Sequence, residues 1–321
     1  MPRIAAIDCG TNSIRLLIAD AHHEDAGVVL VDVVREMRIV RLGQGVDATG
    51  AFAEEALNRT FAAVDEYAGM IAGHGATAVR FVATSATRDA SNRQVFIDGV
   101  RERLGIEPEV VPGTEEAALS FAGAVSVAPP GPGETVLVVD LGGGSTELVL
   151  GDADGVLASI SLDMGCVRHT ERFLRSDPPT ASEISEAEAE ITARLEEAFA
   201  VVPVEQAVRI IGVAGTITTL TAHGLGLEAY DSAAIHGAEL PLETIAGSAA
   251  ELLAANRSER SAYGFMHPGR VDVIGAGALI WKGLLEQVAA RSGGRITSAL
   301  TSEHDILDGI ALGLVESLPS P

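Results

Sequence analysis

Asp140-Leu141-Gly142-Gly143-Gly144-Ser145-Thr146-Glu147 joins two apolar runs, Thr135 to Val139 before it and Leu148 to Leu150 after it. An acid at the end of a buried strand, three glycines, two hydroxyls and a second acid predict a tight turn between two strands. Glycine admits positive φ and lets a ligand reach the backbone amides with no Cβ in the way. Successive N–H groups in such a turn form an anion-binding concavity. Carboxylates beside a bound phosphate commonly hold a divalent cation or a water, which is the chemistry open to Asp140 and Glu147. On these eight residues alone, a glycine-rich hairpin with incidental acids reads the same way.

The pattern recurs near the N-terminus. Asp8, Gly10, Ser13 and Leu16 superpose without gaps on Asp140, Gly142, Ser145 and Leu148, each 132 residues earlier. Apolar strand residues precede both copies. One glycine turn is weak evidence, but an acid–glycine–serine hairpin repeated a domain-length later predicts two related halves. Each half then offers a phosphate loop, with the ligand expected in a central cleft.

The composition fits that division. At 321 residues the chain exceeds one ordinary core. Pro129 to Gly133 is a Pro/Gly-rich break. The expected domains are 1–126 with the C-terminal helix 304–321, and 127–303. A formal net charge of -23 argues against nucleic-acid partners. An anionic substrate then needs locally gathered arginines and a metal to neutralise the rest; Lys282 is the only lysine. No charge-free apolar run reaches membrane-span length. The N-terminus shows no signal-peptide core, and Cys9 and Cys166 form no metal pair, so the expected compartment is the cytoplasm.

Between the hairpins, Ala78 to Ala83 reads as a strand ending in Thr84-Ser85-Ala86-Thr87-Arg88, where α/β sheets place their ligands. Arg88 can grip a phosphate through two donors. Pro112-Gly113-Thr114-Glu115-Glu116 then opens a helix with Thr114 as its cap. One glutamate suffices to complement the helix dipole, leaving the other to act as a general base on water. In the second half, Met164 to Thr170 opens a helix on which Arg168, His169 and Arg172 could supply a local positive patch. Ala214-Gly215-Thr216 is a third small-residue turn at a strand end, able to hold a phosphate or ribose through free N–H groups. Arg270 and Asp272 read as a structural pair.

The element order, three strands and then alternating helices and strands, twice over, predicts an α/β, duplicated actin-like (ASKHA, ribonuclease H-like) two-domain fold. The runs Ala5 to Arg15, Ala83 to Asn92, Pro112 to Ala117, Asp140 to Glu147, Met164 to Val167 and Ala214 to Thr216 together resemble the exopolyphosphatase/guanosine pentaphosphatase (Ppx/GppA) family, in its short two-domain form. The resemblance implies metal-dependent hydrolysis of a terminal phosphoanhydride, with Mg²⁺ or Mn²⁺. Glu116, or failing it Glu115, would activate water. Asp140, Glu147 and Asp8 would serve the metal. Gly10, Thr11, Asn12, Ser13, Arg15, Arg88, Gly142, Gly143, Gly144, Ser145, Gly215 and Thr216 would bind phosphate. The expected substrate is inorganic polyphosphate, with short chains favoured for want of an extra domain and with pppGpp the alternative. An actin-like kinase or a non-catalytic sensor is a more distant reading. No nucleic acid or membrane partner is expected, and a homodimer is one admissible assembly.

Overall fold

The computed structural model describes residues 2–24 and 27–318. Met1, Asp25, Ala26 and 319–321, the tail of the expected C-terminal helix included, lie outside the described residues.

The chain divides into two units, one running to Gly123 and resuming at Ile306, the other spanning Ala124–Asp305. The first contains β1 (Arg3–Cys9), β2 (Ser13–Glu24), β3 (Gly27–Ile39), α1 (Val46–Thr49), α2 (Glu54–His74), β4 (Ala78–Ala83), α3 (Ser85–Asp89), α4 (Arg93–Leu104), β5 (Glu109–Val110) and α5 (Gly113–Val125). The second contains β6 (Val136–Leu141), β7 (Thr146–Asp152), β8 (Gly155–Leu162), α6 (Cys166–Phe173), α7 (Ala181–Phe199), β9 (Arg209–Val213), α8 (Gly215–Gly224), α9 (Ser232–Ile235), β10 (Glu239–Pro241), α10 (Leu242–Ala254), α11 (Arg257–Ser261), α12 (Ile274–Arg291) and β11 (Ser298–Thr301). Helix α13 (Ile306–Ser317) belongs to the first unit.

The sheets carry the duplication. The first runs β3-β2-β1-β4-β5 and the second β10-β11-β9-β6-β7-β8. In each, three consecutive strands pair antiparallel and the first of them pairs parallel with the strand that follows the next two helices. This is the expected α/β, actin-like arrangement, with β10 added at one edge. The central strands β1 and β6 are mostly apolar because both their faces are covered, with Asp8 and Asp140 near their C-terminal ends. In the first unit, Ile7, Phe81 and Tyr67 lie in one core layer, and Ile4, Leu17 and Val82 meet Ile310 and Leu314 of α13 in the other. In the second unit, Val139, Leu148 and Trp281 belong to a single large core. Among the described residues no helix is long and apolar enough to cross a membrane.

Candidate functional site

Each half presents its loop in the same way. In the first unit, Gly10 N–H donates to the Ser13 carbonyl at 3.0 Å and closes the turn between β1 and β2. In the second, Gly142 N–H donates to the Ser145 carbonyl, also at 3.0 Å, between β6 and β7. The repeat seen in the sequence is therefore a repeat of turn geometry.

The segment after the third strand of each unit grips the loop. After β3, the amides of Val40 and Arg41 donate to the Asn12 carbonyl, and that of Gly43 donates to the Thr11 carbonyl. After β8, the amide of Cys166 donates to the Gly142 carbonyl, and those of Val167 and Arg168 donate to the Gly143 carbonyl. In a planar trans peptide the carbonyl and the next N–H point in opposite directions. Drawing the carbonyls inward thus turns the N–H groups of Asn12 and Ser13, and of Gly143 and Gly144, the other way. The packing demands glycine at the contacts: a Cβ on Gly165 would lie 2.4 Å from the Gly143 carbonyl group, and one on Gly43 would lie 2.3 Å from the Thr11 methyl. The first clamping segment escapes notice in the sequence; the second overlaps the Met164 to Val167 run, but its grip on the loop leaves no local signal beyond Gly165.

The acids differ between the halves. Asp8 faces Arg15 across the β1–β2 ladder, and Arg15 binds it at 2.6 and 3.0 Å. At the same register position, Asp140 faces Glu147 across β6 and β7, both of them buried. Ser161 Oγ donates to Glu147 at 2.6 Å. Two carboxylates directly opposite each other repel unless a cation or proton intervenes. Their hard oxygen donors suit a divalent cation such as Mg²⁺, which commonly takes one or two carboxylates and completes its shell with water and phosphate oxygens. Among the described residues no group of three or more His, Cys, Asp or Glu is placed to hold a metal by protein ligands alone. The oxygen donors of the pair fit a hard divalent cation. Asp8 and Arg15, expected to serve metal and phosphate respectively, are here each other's partners.

Helix α5 separates Glu115 from Glu116. It begins at Gly113, so Thr114 lies inside its first turn rather than capping it. Glu116 is 7 % exposed, and Arg88 Nη1 donates to its Oε2 at 2.5 Å and to the Val111 carbonyl at 3.1 Å. Burial pushes the Glu116 carboxyl above its usual range; Arg88 and Thr84 oppose that, and the nearby charge of Asp8 adds to it. Glu115 has a side chain 43 % exposed and binds Arg80 at 3.0 Å, beside the Arg80–Glu109 pair.

The expected positive patch on α6 is not formed. Arg168 and His169 are buried. Neither His169 ring nitrogen has a hydrogen-bond partner, and burial pushes the imidazole down to about 4. Cys166 is packed, its thiol pushed up to about 11 by burial.

At the start of α8, Ala214 adopts φ 74°, a conformation that costs a non-glycine residue about 1–3 kcal/mol. The Arg270 guanidinium occupies the space where Gly215 would carry a Cβ, 2.5 Å from that position, and donates to Thr219 Oγ1 at 3.1 Å. The sequence suggests Asp272 as the partner of Arg270; the fold sends its guanidinium to α8 instead. A contact spanning more than fifty residues leaves no periodic signal, and the only hint is the missing side chain at Gly215.

The sequence model of the Ppx/GppA phosphatase family matches residues 19–313. The chain is 51 % identical over 319 residues to Exopolyphosphatase 2 of Mycobacterium tuberculosis, covering 98 % of this chain and 99 % of that protein. A crystal structure of an exopolyphosphatase-like protein matches with a TM-score of 0.91 at 47 % identity, over 96 % of this chain and 97 % of the other. The likeness to the guanosine-5'-triphosphate,3'-diphosphate pyrophosphatase of Photobacterium profundum is 34 % over 186 residues, 58 % of this chain and 36 % of that protein.

Proposed function

The chain belongs to the Ppx/GppA phosphatase family, and from that premise we propose that it is an exopolyphosphatase, releasing orthophosphate from the end of inorganic polyphosphate. The observation that carries the choice of substrate is the full-length likeness to a named exopolyphosphatase, against a partial one to the pppGpp-directed relative.

Family members are in general divalent-metal dependent. We assign the cation, Mg²⁺ or Mn²⁺, to Asp140 and Glu147, where it would neutralise phosphate oxygens and help orient the attacking water. Asp8, already bound by Arg15, contributes negative charge near the base more than a coordination site. The outward amides of Asn12 and Ser13, and of Gly143 and Gly144, donate to phosphate oxygens, while Gly10 and Gly142 close the turns. Gly215, Thr216 and Arg270 bind phosphates further along the chain.

Glu116 removes a proton from water. The water oxygen attacks the terminal phosphorus, the bridging P–O bond breaks, and the shortened chain leaves as an oxyanion. Arg88 has two tasks, holding Glu116 in place and neutralising the charge that develops on the terminal phosphoryl group. The two free, buried cysteines accord with a cytoplasmic setting.

The test is phosphate release from short-chain polyphosphate, long-chain polyphosphate and pppGpp, measured side by side with Mg²⁺ and with Mn²⁺. Turnover of polyphosphate is expected. Turnover of pppGpp alone would replace this reading, and ADP formation with an acceptor would mark a kinase.

A further inference from the structure

The second loop is held by more than the helix start beneath it. Gly165 caps helix α6 and offers no side chain to its first amides. The first amides of a helix need partners, and here the carbonyls of Gly142 and Gly143 supply them. The next carbonyl, that of Gly144, is held by a side chain: Nε of Arg168 donates to it at 2.8 Å. Arg168 is 9 % exposed, and its Nη2 lies 3.8 Å from the Asp163 carboxylate. A long cationic side chain is seldom buried this far unless its donors are used.

We propose that Arg168 is a positioning residue for the phosphate loop. By drawing the third consecutive carbonyl toward α6, it turns the Ser145 N–H outward with those of Gly143 and Gly144. The loop then presents three donors in one fixed array instead of two and a mobile third. Lysine cannot replace it. An ammonium at the end of a flexible stem has no donor at the Nε position, whereas the guanidinium is a rigid fork. The proposal rests on the reading that this loop binds phosphate, and it adds a residue that touches no substrate.

The test compares wild type with Arg168→Lys and Arg168→Gln in two measurements. The first is amide hydrogen exchange in peptides covering 140–147, with peptides covering 4–19 of the other unit and those from the rest of the second unit as controls. The second is steady-state polyphosphate hydrolysis. Exchange in 140–147 should quicken about tenfold or more in both variants while 4–19 stays as in wild type. Losing one aligned donor should lower kcat by up to about a hundredfold, with KM changing far less. Lysine should rescue neither. Full activity in Arg168→Lys would reduce the role to charge and overturn the proposal. A fall in kcat with unchanged exchange at 140–147 would make Arg168 a substrate contact and overturn it too. Equal loosening of the whole second unit, or failure of both variants to fold, would overturn it in favour of a purely structural role. If wild type hydrolyses no polyphosphate, the exchange measurement still decides whether Arg168 orders the loop, so the two readings fail separately.

Discussion

Asp140 and Glu147 are direct cross-strand partners at the register position where the other half of the chain sets Asp8 against Arg15. The same hairpin thus carries an ion pair in one unit and a pair of like charges in the other. Removing one carboxylate should relieve repulsion when no cation is present. Glu147→Gln is expected to match or exceed wild-type stability in a chelator, by about 1 kcal/mol or less. Its Mn²⁺ requirement for hydrolysis should rise by about tenfold or more. Thermal unfolding in EDTA and a Mn²⁺ titration of phosphate release check both. A variant less stable in chelator with an unchanged metal requirement would count against a cation at this pair.

Burial separates the adjacent glutamates of α5, and so should mutation. Glu116→Gln should lower kcat about 10²- to 10⁴-fold, the usual worth of a positioned base. Glu115→Gln breaks only a half-exposed contact with Arg80 and should leave kcat within about twofold. Steady-state phosphate release distinguishes them, and the reverse order of effects would move the base to Glu115.

The raised Glu116 carboxyl makes activity and stability respond to pH in opposite senses. Its protonated form is favoured by the fold, so its contribution to stability is complete below the unfolded-state value of about 4.3 and is lost as pH rises through the folded-state value. Activity needs the ionised form and rises over the same window. In Arg88→Gln the opposing charge is gone, and the acid limb of kcat/KM should move to higher pH. A limb that stays in place would show that another group governs it.

Two glycine-to-alanine changes in helices should have opposite signs. A Cβ on Gly309 would lie 2.0 Å from the Leu119 carbonyl oxygen, so α13 must shift, at a cost of about 1–3 kcal/mol or more. Gly69 in α2 has nothing within 4 Å of its Cβ position, and alanine there should stabilise by about 0.5–1 kcal/mol. Urea unfolding of the two variants gives the comparison.

The repeated acid–glycine–serine hairpin was legible in the sequence because its cause is local. Apolar runs on either side of a glycine turn specify two strands and their connection, and the offset of 132 residues exposed the duplication. From that repeat came the α/β class and the two sheets. The loops themselves were legible too, since glycine is needed wherever another backbone comes close. Three things were decided only by tertiary packing. Glu115 and Glu116 are neighbours in one helical turn, and which of them is buried depends on where α5 docks, not on either residue type. Arg168 and His169 read as a surface patch because a short helix fits more than one face to the core; packing against the loop and α7 put both inside. Arg270 reaches Gly215 across more than fifty residues, a contact that no local pattern encodes. Local propensity and periodicity set the hairpins, while burial and long-range contact chose which charged groups they hold.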